Sequence, residues 1–306
     1  VLGHVTEQVV QALPQLLGQP VHVHGAVPAP SHTNPERVAG QAGRAQRGVA
    51  LRGVRGQPAL DAFPGGVDPP LGGPVRPGRD DLAGAWTALG GRAARTGLLP
   101  VLIEVGGSQG GPGEWELMPG EMSYPGDHDA EEVLAGFWEA YAEDELGDEE
   151  ETAGPGDSSW PGLAEAPSVL PADPDRRAAE TADALLDEGS WFKDPRLALV
   201  PARRSADIPA AIGWTGPLNH ENDVARLCAV LRSWEDRFGM RVISLGFDQL
   251  VVSVAAPPTT QEDAEAVAAE HFAFCPDNIH QGSHSTLREY AAHHVLDQRV
   301  WSFWWD

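Results

Sequence analysis

The chain is 306 residues long with a formal net charge of −24, enough length for about two domains. That charge argues against nucleic acid or an anionic membrane surface as the main partner, because phosphate is held by clustered Lys and Arg. No apolar run reaches the roughly 18 residues of a membrane-spanning helix, no basic stretch followed by an apolar core opens the chain, and two cysteines, Cys228 and Cys275, cannot build a disulfide framework. A soluble protein of the reducing cytoplasm is expected.

Residues 1–80 differ in texture from the rest. Phe63 is the only aromatic before Trp86, and Gly, Pro, Arg, Val and Ala dominate. Val5, Val9, Val10 and Leu13 suit one short helix that Pro14 would end. Stretches such as 40–44 and 69–74 cannot bury enough apolar surface to offset ordering entropy. This extension is expected to be either a disordered tail or the product of a wrongly assigned gene start. A single lysine, Lys193, against twenty arginines points to a GC-rich bacterial gene.

A smaller α/β half is expected over residues 81–145. Trp86, Leu89 and Ala93 or Ala94 fall at helical spacing, and Leu98–Val105 reads as a buried strand. Gly106–Gly113 then reads as a hairpin loop leading to a second strand, Glu114–Leu117. The loop has no Lys-Ser/Thr and no following helix, so it is no phosphate loop. Asp127 or Asp129 caps a helix whose apolar face is Val133, Leu134, Phe137, Trp138 and Tyr141. Asp127-His128-Asp129 lacks the remaining ligands of a calcium loop. An acidic Gly/Pro linker follows over 146–172.

The C-terminal domain is expected over 173–306. A helix starts near Asp173 or Asp175 and is followed by a strand, Arg196–Ala202. Asn219 or Asn222 caps a long helix with Val224, Leu227, Cys228, Leu231, Trp234 and Phe238 on one face, which Gly239 stops. Arg241–Phe247 and Leu250–Ala255 form a hairpin. Thr259 with Glu262, or Thr260 with Asp263, boxes the start of a helix to about Phe274. A third helix lies around 285–295, and Arg299–Trp305 is a last strand. The order β-α-β-β-α-(α)-β predicts an α+β fold with a ferredoxin-like sheet and helices on one face.

Trp214-x-Gly216, the run from Phe272 through Asn278 and the closing run from Trp301 to Asp306 resemble the bacterial "domain of unknown function 4253" family over roughly 196–306. The segment from Leu98 to Tyr141 is similar to the N-terminal half of actinobacterial members. The resemblance implies no activity, cofactor or catalytic residue.

The densest chemical cluster is His271, Cys275, Asp277, His280 and His284, with His293 and His294 beyond. These are zinc-ligand types, but their spacings fit no standard zinc signature. Cys275, Asp277, His280 and His284 stand as metal candidates, with zinc the ion considered, against a reading as surface histidines around a buried thiol. Cys275 sits at a helix C-terminus, where the dipole disfavours thiolate. Asp277 and Asn278 read as a turn, or as polar groups lining a pocket with Trp214 and Asn219. In the last strand, alternation separates Trp301, Phe303 and Trp305 from Trp304. Trp304 is therefore a candidate binding anchor unless another element covers it. No catalytic residue is assigned. The leading expectation is a non-catalytic protein-binding module, toxin-neutralising in its specific form, with a basic protein partner. The alternatives are a small metal-dependent hydrolase using Asp277, His280 and His284, and a small-molecule sensor with a pocket near Trp214.

Overall fold

A computed structural model describes residues 84–145, 159–187, 189–284 and 286–306. The N-terminal extension, its short helix and the first part of the linker lie outside the described residues. The elements run α1 (Ala85–Ala93), β1 (Leu98–Glu104), α2 (Ala130–Glu145), α3 (Pro174–Leu186), β2 (Pro195–Pro201), α4 (Ile208–Ile212), α5 (Val224–Phe238), β3 (Arg241–Leu245), β4 (Gln249–Ser253), α6 (Gln261–Phe274), α7 (Asp277–His280), α8 (Leu287–Tyr290) with a π turn over Ala291–Val295, and β5 (Val300–Trp304). The fold is mixed α+β around one open five-stranded sheet of order β2-β1-β3-β4-β5.

Local chemistry accounts for the helix starts. Asp173 accepts from Arg176 N with Pro174 at the first helical position of α3. Thr260 accepts from Asp263 N at α6, which selects the second of the two capping boxes open in the sequence. Asp129 accepts from Glu131 N and Glu132 N at α2. The cap of α5 is Asp223, which accepts from Ala225 N. It is neither Asn219 nor Asn222, because the chain between Pro217 and Glu221 is held in its own turn by His220 N and Glu221 N on Pro217 O.

The ferredoxin-like order is not the one adopted. That order would set the last strand beside the first strand of its unit. Here β5 pairs with β4 from Gln249↔Trp304 to Ser253↔Val300. β1 stands between β2, antiparallel over seven residues, and β3, parallel at Leu102↔Ser244 and Ile103↔Leu245. Val101, Leu102 and Ile103 are buried on both faces, which requires an interior strand. The expected strand Glu114–Leu117 does not form, because both edges of β1 are already taken. That segment instead turns against residues 213–215, through Met118 N to Gly213 O (2.8 Å) and Thr215 Oγ1 to Glu116 O (2.7 Å). Gly213 has φ +67°, and a Cβ there would lie 2.0 Å from Pro119 N.

Helices on one face is also corrected, since they cover both. Val101, Val200, Val242, Val252, Trp301 and Phe303 pack with α2, α5 and α6. Leu102, Leu197, Ile243 and Val251 pack with α1 and α3 on the opposite face. A helix on each side is the natural cover for strands apolar on alternate residues in both directions. The later part of the expected linker is packed rather than solvated. Trp160 meets Trp138 edge-on at 5.5 Å, and Ala164 is buried with its N–H on Glu270 Oε1 (2.7 Å). Glu270, fully buried, also accepts from Trp234 Nε1 (2.7 Å) and from Arg237 Nη1 and Nη2 (2.8 and 2.6 Å).

Candidate functional site

β5 is an edge strand, and its open edge is where most of the candidate residues gather. Odd-numbered residues face β4, as the bonds of Val254 N to Arg299 O and of Trp305 N to Asp248 O show. The backbone groups of Ser302, Trp304 and Asp306 therefore point away from the sheet. They meet the turn after α6. Cys275 ends that helix with its N–H on His271 O, and α7 begins directly after Pro276. This brings three polar side chains in a row to the strand. Asn278 Nδ2 donates to Ser302 O (2.8 Å), and Asn278 Oδ1 accepts from Trp304 N (3.2 Å). Cys275 Sγ donates to Trp304 O (3.0 Å), and Asp277 Oδ2 accepts from Asp306 N (3.1 Å). The Asn278 amide thus substitutes for the peptide of a missing neighbouring strand and blunts the edge.

The network continues inward. Asn278 Nδ2 lies 3.1 Å from Tyr290 Oη, which lies 3.1 Å from His271 Nδ1. Asn278 Nδ2 donates to Tyr290 Oη, and one further hydrogen bond joins that hydroxyl to His271 Nδ1. Burial pushes His271 down to about 3, aided by nearby His294. Burial also raises Tyr290 and the Cys275 thiol. All three groups are neutral near pH 7, and Cys275 has the opposite character to an activated thiolate. The chemistry this cluster performs is hydrogen bonding that fixes β5.

The four metal candidates are not brought to one point. His280 stacks on Tyr141 at 5.0 Å and lies beside Phe272. His284 stacks on His293 at 4.2 Å and has Nδ1 3.1 Å from His294 Nε2. Cys275 and Asp277 are engaged with β5. Among the described residues no group of three or more His, Cys, Asp or Glu is placed to hold a metal ion. Trp214 is buried; its N–H is shared by Gly246 O (3.0 Å) and Phe247 O (3.1 Å), and its ring packs edge-on against Trp305. It clamps the β3–β4 turn and, among the described residues, lines none of the openings near β5, α3 or the 165–171 segment. Asn219 is exposed and donates to Asp306 O.

Trp304 is half-buried and projects from the sheet face opposite Trp301 and Phe303. It borders two openings. One, of about 240 Å³, is lined by Asn278, Tyr290, His293 and His294 along the β5 edge. The other, of about 200 Å³, lies on the outer face among Trp191, Gln249, Val251 and Ser302. The first has polar walls and the second is floored by aromatic and aliphatic carbon. Trp191 is 53 % exposed and Val300 42 %. Sequence reasoning passed over Trp191. Its signal was the pair Trp191-Phe192 just before β2, of which only Phe192 is buried.

Neither a curated protein nor a solved structure matches the chain. Residues 196–306, from β2 through β5 and including the Asn278 clasp and Trp304, match the family model described as "Domain of unknown function (DUF4253)".

Proposed function

We propose that the protein is a non-catalytic binding module of the bacterial cytoplasm that docks a protein partner on the outer face of β5, with Trp304 as anchor. One observation carries the reading. α1 and α3 cover the outer sheet face over β2, β1, β3 and Val251 of β4, while the β5 end of that face carries half-exposed Trp304 beside exposed Trp191 and Val300. Large aromatics held on a rigid strand and left open to water are the residues that dominate protein interfaces. The clasp made by Asn278, Cys275 and Asp277 supports it further, because it holds the Trp304 backbone at both N–H and C=O. The net charge of −24 favours a basic partner by steering association. A toxin-neutralising role suits that pairing. Two free, buried cysteines fit a reducing compartment.

The test is affinity capture from the native host with the full chain as bait, beside Trp304→Ala and Trp191→Ser. The reading expects one stoichiometric basic protein, retained by the wild type and lost from both variants while their melting temperatures stay close to wild type. Capture that both variants leave unchanged, or a stoichiometric acidic partner, would overturn it.

A further inference from the structure

A cavity of about 590 Å³ lies at the other end of the molecule, where α1, the first turns of α3 and the start of β3 meet the chain leaving β2. That volume is in the range of small-molecule sites. Leu99, Pro100, Ala178 and Ala179 supply apolar walls. Its two acidic side chains are already engaged. Asp175 binds Arg241 (2.8 Å), and Glu235 binds Arg204 (3.3 Å) and Arg241 (3.4 Å).

The side-chain capacity left over includes donors. Arg203 lines the cavity, is exposed, and forms no ion pair or hydrogen bond with the described residues. Ser205, buried in the wall, accepts from Val242 N (2.8 Å), and its own O–H donates to no described group. The indole N–H of buried Trp86 likewise has no described acceptor. Of the four arginines at the cavity, Arg176 pairs with Glu180, Arg204 with Glu235 and Asp236, and Arg241 with Asp175 and Glu235, which leaves Arg203 as the cation without a carboxylate among the described residues. A ligand that uses this site needs acceptors and negative charge at one end and an apolar body at the other.

We propose that this cavity binds a small organic acid, its anionic head on Arg203 and Ser205 and its apolar body against Pro100 and Ala179. The site is separate from the β5 surface and independent of the binding function proposed there.

The test is fluorescence titration of the full chain with 8-anilinonaphthalene-1-sulfonate as the anionic probe, beside its uncharged analogue N-phenyl-1-naphthylamine. Saturable binding of the anion at one equivalent is expected. Arg203→Gln weakens the anion roughly tenfold, the loss of one charge-assisted hydrogen bond, and leaves the uncharged analogue within about twofold. Ala179→Trp fills the cavity and removes both, whereas Trp304→Ala changes neither. Absence of binding, affinity for the anion indifferent to Arg203→Gln, or loss with Trp304→Ala overturns the proposal. Arg203 is exposed and has no partner among the described residues, so Arg203→Gln decides the matter even where Ala179→Trp disturbs α3.

Discussion

Replacing Glu270 by Gln tests how the chain outside the family segment is fastened to the domain. Glu270 sits fully buried in α6 and receives four hydrogen bonds, from Ala164 N, Trp234 Nε1 and two Arg237 nitrogens. Glu270→Gln keeps the shape but removes the charge that Arg237, itself nearly buried, depends on. It also turns one acceptor into a donor that faces other donors. Breaking a buried pair from one side costs about 3–5 kcal/mol, a fall in melting temperature of about 6–20 °C for a domain of this size. Chemical denaturation followed by tryptophan fluorescence reads it directly. Trp234, whose N–H bonds to Glu270, stacks on Phe303 at 5.4 Å and so reports on the core. Arg237→Met combined with Glu270→Leu is expected to lose less than the two single losses summed, with a coupling above about 1 kcal/mol. A Glu270→Gln loss below about 1 kcal/mol, or strict additivity in the pair, would refute the reasoning.

Three further outcomes follow from the same packing. His271 is held near 3 by burial, against about 6.5 in an unfolded chain. Between those values the unfolded state binds a proton that the folded state refuses, so stability is complete above pH 6.5 and falls by about 1.4 kcal/mol per unit as pH drops below it. His271→Phe flattens that slope between pH 6.5 and 5 in denaturation curves; an unchanged slope contradicts the burial argument. Asn278→Ala costs about 2–4 kcal/mol, since it strands Trp304 N, Ser302 O and Tyr290 Oη together. Amide exchange at Trp304 should accelerate, and protection equal to wild type would show that the clasp is not needed. Gly213→Ala costs at least about 2 kcal/mol from its left-handed backbone and the clash with Pro119, and a thermal melt within a degree of wild type would count against it.

Much of the C-terminal domain was legible because its signals are local. The six apolar positions from Val224 to Phe238 are all buried in α5, and Gly239 ends the helix at φ +62°. The β3–β4 hairpin and the final strand lie within a residue or two of their expected ends. Pairing was not legible. A buried run such as Val101-Leu102-Ile103 announces an interior strand but not its neighbours, and β1 finds β2 nearly a hundred residues away. The acidic texture of 146–172 hid Trp160 and Ala164, whose partner Glu270 was itself a clue, a lone carboxylate within an otherwise apolar helix end. The metal candidates separated for a simple reason. α7 places His280 against α2, while the chain after it carries His284 to the π turn beyond α8, so proximity in sequence gave no common point. Trp304 kept the position that alternation assigned it, while Trp214 turned inward because Gly246 O and Phe247 O capture its N–H.

The central claim is that the open face of β5 is an interface and Trp304 its anchor. The most direct measurement is the affinity of the purified captured partner for the wild-type chain and for Trp304→Ala, by calorimetry at a single salt concentration. A central hot-spot aromatic is worth at least about 2 kcal/mol, so the dissociation constant should rise about thirtyfold or more, with the variant still folded. A change within about twofold in a folded variant would contradict the claim and place the interface elsewhere on the molecule.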